Sequence, residues 1–229
     1  MTNPKEPFLH WPGIQGIRRR AALGLFFLSF FYLFYGGAAF TAELIPWRFN
    51  VGLEFEKSIP FIPDSALLYL SVSWMMLLAL FVVKQWADLK ALVRVLCLQT
   101  LFGAACFLIF PVANNFPPRP VAKDTSLLFL LADTINLANN EVPSLHVCFA
   151  ITLAAVMGHY AEMRLRILLL VWALAIALST LTMHEHNLVD LLAGGMLALW
   201  GVQRWRRSAS GLHNRQSSAP LFVESVHLE

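Results

Sequence analysis

Apolar residues fall in long unbroken stretches along this chain, with neither the two-residue alternation of a barrel strand nor the narrow stripe of a water-soluble amphipathic helix. A bilayer core takes about 20 apolar residues per helix, and hydrocarbon offers no water to exposed backbone groups, so each stretch predicts one continuous helical crossing. Residues 21–42 and 65–83 carry no charge, and the chain is again uncharged between Arg94 and Arg119. Six spans follow, at about 21–42, 65–83, 91–111, 142–161, 167–183 and 187–203, the last short and holding Asp190 near its start. The expected fold class is all-α: a polytopic membrane protein whose 21–203 region is one six-helix transmembrane domain. It is flanked by a cytoplasmic segment 1–20 and a polar tail 204–229 expected to be disordered.

The first apolar run is too long for a signal-peptide core and lacks a small-residue cleavage pattern, so it is read as a retained span. An even number of crossings puts both termini on one side, and the basic residues choose which. One side carries Lys5, Arg18, Arg19, Arg20, Lys84, Lys90, Arg94, Arg164, Arg166, Arg204, Arg206, Arg207 and Arg215. The other has only Arg48, Lys57, Arg119 and Lys123. The positive-inside rule makes the first side cytoplasmic, in a plasma or inner membrane, with Trp86 and Trp205 expected as interfacial rings there and Trp47 at the outer face. Residues 43–64 and 112–142 become long outer loops.

Composition agrees. Of 229 residues, 58% are hydrophobic and only 14% charged, with a mean hydropathy of +0.61, too little polar surface for a soluble globule, a disordered chain or a nucleic-acid binder. Cys97, Cys106 and Cys148 all lie in apolar runs without metal-ligand spacing and are read as buried thiols.

Against this apolar background the ionisable groups at the outer helix ends stand out. Pro143-Ser144-Leu145-His146 opens the fourth span: Pro suits a helix start, Ser144 can cap it, and His146 lies in a first turn whose free donors favour an anion. A histidine satisfied by a backbone carbonyl is the plainer alternative. The second group is Ser179-Thr180, then His184, Glu185, His186 and Asp190. The four-residue step from His186 to Asp190 puts both on one helical face if the helix begins by His186. A carboxylate on one ring nitrogen orients the imidazole and frees the other for attack, although a capping aspartate or a buried ion pair would use the same spacing.

His146 and His186 are separated by two crossings and a turn, so both return to the outer face, where Arg119 of the Pro117-Pro118-Arg119-Pro120 run can fold over them. A guanidinium, two imidazoles, a carboxylate and a helix N-terminus suit a phosphate ester. A metal held by His184, His186 and Asp190 is the competing reading, and it leaves Arg119 and the Pro-Ser-Leu-His turn without a role. His184 is either a helper to the phosphate or an exposed loop residue.

At these residues the chain resembles the type 2 phosphatidate phosphatase superfamily, membrane relatives of bacterial acid phosphatases and vanadium haloperoxidases. That family's pattern, KxxxxxxRP, PSxH and SRxxxxxHxxxD, is matched by Arg119-Pro120, by Pro143 to His146, and by Ser179-Thr180 with His186 and Asp190. The resemblance spans roughly residues 60–203. It implies a metal-free phosphohistidine mechanism with no cofactor: His186 attacks, Asp190 orients it, and His146 acts as acid and then base. Arg119, Ser144, the Leu145 backbone, Ser179, Thr180 and His184 would form the phosphate site. The family's lysine and second arginine fall on Val112 and Thr180, so two cations are missing; His184 or Lys123 could replace part of that charge. With the reduced cation set, the Pro-Ser-Leu-His form and the Ile59-Pro60-Phe61-Ile62-Pro63 stretch look more like the aureobasidin-resistance type of inositol phosphorylceramide synthase.

The expected function is therefore a lipid phosphatase acting on a phospholipid or polyprenyl (di)phosphate at the outer face. A head-group phosphotransferase using the same histidine is the alternative, and a non-catalytic transporter or scaffold is the alternative of another class. The expected partners are a lipid phosphate substrate and membrane lipids, with no nucleic acid.

Overall fold

The computed structural model describes residues 7–119, 127–135 and 141–217, with side chains through residue 209. Pro120, Lys123, Lys5 and the last twelve residues, 218–229, lie outside the described residues. No strand forms among those described; Phe49 and Val112 make one isolated parallel bridge between the two long loops.

Helix α1 (Gly13–Phe31) runs through one π turn (Tyr32–Gly36) into α2 (Gly37–Glu43). Two short 3-10 turns, Glu54–Ser58 and Pro63–Ser65, lead into α3 (Ala66–Val82), and α4 spans Trp86–Ile109. Then come α5 (Leu127–Ile135), α6 (Leu145–Gly158), α7 (Met163–Thr182) and α8 (Leu188–Ser217). Each of the six expected spans has a helix. Four are long and apolar enough to cross a bilayer: Gly13–Glu43, Pro63–Val82, Trp86–Ile109 and Met163–Thr182. Helix α6 has only 14 residues, about 21 Å of rise against a core of about 30 Å. Helix α8 is long, but it carries Asp190 at one end and an arginine-rich segment at the other.

The short helix is the centre of the bundle. Almost every side chain of α6 is buried, and it packs on α3, α4, α7 and α8. A helix that is apolar all round needs neighbours on every side, and α6 has them, with His146 in its first turn. A polar tie crosses this core: Gln99 Nε2 on α4 donates to Thr152 Oγ1 on α6 at 2.9 Å and to the Leu197 carbonyl on α8 at 3.2 Å.

The basic end is tied independently. Arg20, 6% exposed, donates to the carbonyl of Leu80 in α3 and to those of Val83 and Lys84 just past its end, at 2.6–2.8 Å, a side-chain cap of a helix C-terminus. Tyr160 donates its hydroxyl to Asp88, and the Trp205 indole donates to the Asp88 carbonyl at 3.1 Å. Trp205 is thus buried inside the bundle and not an interfacial ring, because α8 continues past the expected end of its span. The segment from residue 204 to Ser217, expected to be disordered, is helical, since no proline interrupts the α8 ladder and Trp205 anchors it. Cys148 is buried, whereas Cys97 and Cys106 are half-buried; all three are free thiols.

Candidate active site

The two histidine segments meet because α6 and α8 start side by side. Ser144 N–H donates to the Asp190 carbonyl at 3.1 Å, and Ser144 Oγ accepts weakly from Val147 N–H at 3.5 Å as the N-cap of α6. Gly194 permits this approach: a Cβ there would lie 2.5 Å from the Ser144 carbonyl oxygen.

Helix α7 ends by a backbone reversal. His184, with φ +56°, takes the left-handed position usually left to glycine; its N–H donates to the Leu181 carbonyl at 3.0 Å, and Glu185 N–H donates to the Thr180 carbonyl at 3.0 Å. This pair of bonds is the Schellman ending, and it turns His186 back over the bundle. Helix α8 begins at Leu188, two residues after His186, so the His186–Asp190 pairing does not arise from a shared helical face. Asp190 instead reaches back from the first turn: its Oδ2 accepts Asn187 N–H at 2.9 Å and lies 3.3 Å from His186 Nδ1, the acidic half of a capping box. Glu56, on the loop between α2 and α3, accepts Leu188 N–H and Leu53 N–H, which pins that loop onto the start of α8.

His146 and His186 stand with ring centroids 6.3 Å apart and planes inclined at 54°, close enough for both to touch one phosphoryl group. Tyr69 of α3 stacks on His146 at 4.0 Å. Both imidazoles end an aromatic-walled groove lined by Phe27, Phe31 and Tyr35 of the first helix, Tyr69 and Met76 of α3, and Phe149 of α6. The π turn shapes its upper wall by placing Tyr35 against Phe31 (4.7 Å, stacked) and Phe107 (6.0 Å, edge-on). π turns inside α-helices often mark functional sites.

Arg119, Ser144, Leu145, Ser179, Thr180 and His184 occupy different stations. Leu145 lines the groove at the first turn of α6, and Ser144, fully buried, is bound into the α6–α8 contact. Arg119 pairs with buried Glu185 and with Asp133 of α5 at 3.0 Å, its guanidinium 5.8 Å from the Phe129 ring centre. Glu185 connects the guanidinium to the His186 turn. Ser179 and Thr180 are buried under that turn, donating to their own helix carbonyls Ile176 and Ala177. His184 is buried, not an exposed loop residue, because its Nε2 is 2.9 Å from the Ile59 carbonyl and its ring stacks on Phe116 at 4.3 Å. Val112, at the position of the family's lysine, is 2% exposed and held in the isolated bridge.

Glu141 and Tyr69 are in the site although no pattern in the chain points to them. Glu141 Oε2 lies 3.7 Å from His186 Nδ1, and Glu141, His186 and Asp190 offer ligand atoms within 4.8 Å of one another. The group able to hold a cation therefore contains Glu141 in place of His184. Burial pushes the Glu141 carboxyl up to about 8, opposed by His186 and reinforced by Asp190 and Glu185. Burial also raises Glu185, against the pull of Arg119. For His186 burial acts downward, but the hydrogen bond and charge of Asp190, with Glu141 and Glu185, outweigh it and leave the imidazole above its ordinary value.

Comparison with known proteins singles out this part of the chain. Residues 112–209 match the family model described as the PAP2 superfamily, which supports the type 2 phosphatidate phosphatase resemblance over the segment that carries Arg119, His146, His186 and Asp190. No curated protein and no solved structure matches the chain.

Proposed function

We propose that the protein is an integral-membrane lipid phosphatase that cleaves a phospholipid or polyprenyl (di)phosphate through a phosphohistidine on His186. The observation that carries this reading is the 6.3 Å pair of imidazoles at the end of an aromatic groove, one of them backed by a fully buried carboxylate. In this reading all six long or central helices serve as crossings. The termini are cytoplasmic, and the site, at the end opposite Arg20 and Asp88, faces outward.

The chemistry follows from the pairings. Asp190 accepts Nδ1–H, so the His186 lone pair lies on Nε2, directed away from the carboxylates. Nε2 attacks phosphorus as the phosphorus–oxygen ester bond breaks, and His146 delivers a proton to the departing lipid oxygen. A water molecule then gives a proton to His146 and attacks phosphorus, and the bonding pair of the phosphorus–nitrogen bond returns to Nε2. The lipid tail lies along the Phe27–Phe31–Tyr35 wall, and Arg119, released from Glu185 or Asp133 by the arriving phosphate, steadies the phosphate oxygens.

One observation favours the transferase alternative. Buried Val112 and Thr180 stand at the family's two other cation positions, and Arg119 is already shared by two carboxylates. A monoanionic phosphodiester needs fewer positive partners than a dianionic monoester, as head-group transfer would require. Assays on phosphatidate, polyprenyl diphosphate and head-group-labelled phosphodiester lipids separate the readings: phosphate release marks the phosphatase, and label passed to a lipid alcohol marks the transferase. Turnover that survives His186→Gln in every assay would refute both.

A further inference from the structure

Glu141 is a strongly buried carboxyl at the site that the reaction above leaves without a task. It lies just ahead of Val142-Pro143-Ser144 and α6, is 8% exposed, and directs Oε2 to within 3.7 Å of the same ring nitrogen that Asp190 faces at 3.3 Å. A single Nδ1–H can serve one acceptor well, and Asp190 is the nearer. Glu141 Oε2 and Asp190 Oδ1 are both buried and lack a hydrogen-bond partner when both carboxyls are ionised. Two neighbouring carboxylates without a donor form a satisfied pair as soon as one of them carries a proton.

We propose that Glu141 is a positioning residue that shares its carboxylic proton with Asp190, so that His186 rests on a carboxyl pair holding one negative charge. The proposal rests on the reading of His186 as the nucleophile. The groups facing Glu141 are His186 and Glu185 from the α7–α8 turn, Asp190 from α8 and Tyr69 from α3. With Glu141 neutral, the single charge on Asp190 is enough to steady the ring as positive charge develops at Nδ1–H. Glu141 then adds no further fixed anion behind the nucleophile to repel an incoming phosphate. Loss of the shared proton, which the rise to about 8 puts in the mildly alkaline range, introduces that repulsion and frees the Glu141 side chain from Asp190. No net proton is consumed in the cycle at this pair; it holds the ring at one angle and one charge.

The test uses the full-length protein in lipid nanodiscs, as wild type, Glu141→Gln, Glu141→Leu and His186→Gln. Infrared titration reads the carbonyl stretch of a protonated carboxylic acid. The band is expected at neutral pH in wild type and in His186→Gln, and lost in Glu141→Gln. Wild-type kcat/KM for lipid phosphate is expected to fall about tenfold per pH unit above the Glu141 pKa. Glu141→Gln, whose amide can donate to Asp190 as the acid does, should lack that limb and stay within about threefold of wild type at neutral pH. Glu141→Leu should also lack the limb but lose about tenfold in kcat. A neutral wild-type protein with no Glu141 band overturns the proposal, and so does an unchanged alkaline limb in Glu141→Gln. Activity abolished by a chelator and restored by zinc would likewise overturn it, in favour of a metal on Glu141, His186 and Asp190. A protein that turns over no phospholipid but shows the band refutes the phosphatase reading and leaves the shared proton standing.

Discussion

Replacing Asp190 by asparagine changes one oxygen to an NH2 group and removes one charge at a site with no solvent to compensate: Asp190 is 0% exposed. In the native protein Oδ2 serves two donors, Asn187 N–H at 2.9 Å and His186 Nδ1–H at 3.3 Å. The amide oxygen of asparagine is uncharged, so the bond to the ring loses its charge assistance. A hydrogen bond to a charged group contributes about 1.5–3 kcal/mol, which at 1.36 kcal/mol per decade corresponds to roughly 10- to 150-fold in rate. That loss is expected mainly in kcat, because the charge on His186 develops as the phosphorus–nitrogen bond forms. A second signature lies in the pH profile. Attack needs the neutral ring, and Asp190 is among the groups that raise the His186 pKa. The acid limb of the wild-type profile therefore lies above that of an ordinary histidine, and Asp190→Asn should move it to lower pH while the plateau drops. Hydrolysis of a lipid phosphate in mixed micelles across pH, with a thermal unfolding curve to check that the bundle is intact, measures both. A folded Asp190→Asn protein with kcat within about threefold of wild type and an unmoved acid limb would refute the pairing as a catalytic device.

Other expectations follow from the same geometry. Gly194→Ala pushes a methyl into the Ser144 carbonyl, at 2.5 Å; the α6–α8 contact must open, with a cost of about 1–3 kcal/mol in unfolding free energy, and kcat should fall because His146 and Asp190 separate. A Gly194→Ala protein with wild-type kcat and unfolding midpoint would contradict the role given to that contact. Orthovanadate, which imitates five-coordinate phosphorus, should inhibit competitively, and a chelator should leave activity unchanged; the reverse pattern would support a metal centre on Glu141, His186 and Asp190. Thr180→Arg restores a cation at the family's position, but Thr180 is fully buried and donates to the Ala177 carbonyl. The variant should destabilise the bundle in thermal unfolding by about 1–3 kcal/mol without faster monoester hydrolysis, and a stable, faster enzyme would show that the pocket can open.

Much of the helical framework was legible because length and apolarity alone mark a crossing: the four longest apolar helices coincide with expected spans. Limits appear where tertiary packing decides. Helix α6 is short because it is enclosed by neighbours, and α8 runs past its expected end because Trp205 is anchored to the Asp88 backbone. Spacing brought His186 and Asp190 together for a reason that the structure replaces, since the link is a reach-back capping contact at the start of α8 rather than a shared face. Distance along the chain correctly suggested that His146 and His186 share one end of the bundle. Glu141, Tyr69 and the Arg119–Glu185 pair come from loops and faces that only the packed bundle brings together, and no periodicity marks them. His184 shows the converse case. Its place in a histidine-rich run attracts a phosphate-binding reading, whereas nothing in the spacing marks the left-handed backbone by which it turns the chain or its stacking on Phe116.

The proposed reaction turns on a covalent bond between phosphorus and His186, which rapid quenching of the protein with a 32P-labelled lipid phosphate would trap. The expected label is stable in alkali, lost in acid, mapped by mass spectrometry to His186 and absent from His186→Gln. Full turnover with no such label at any quench time, or with the label on another residue, would contradict it.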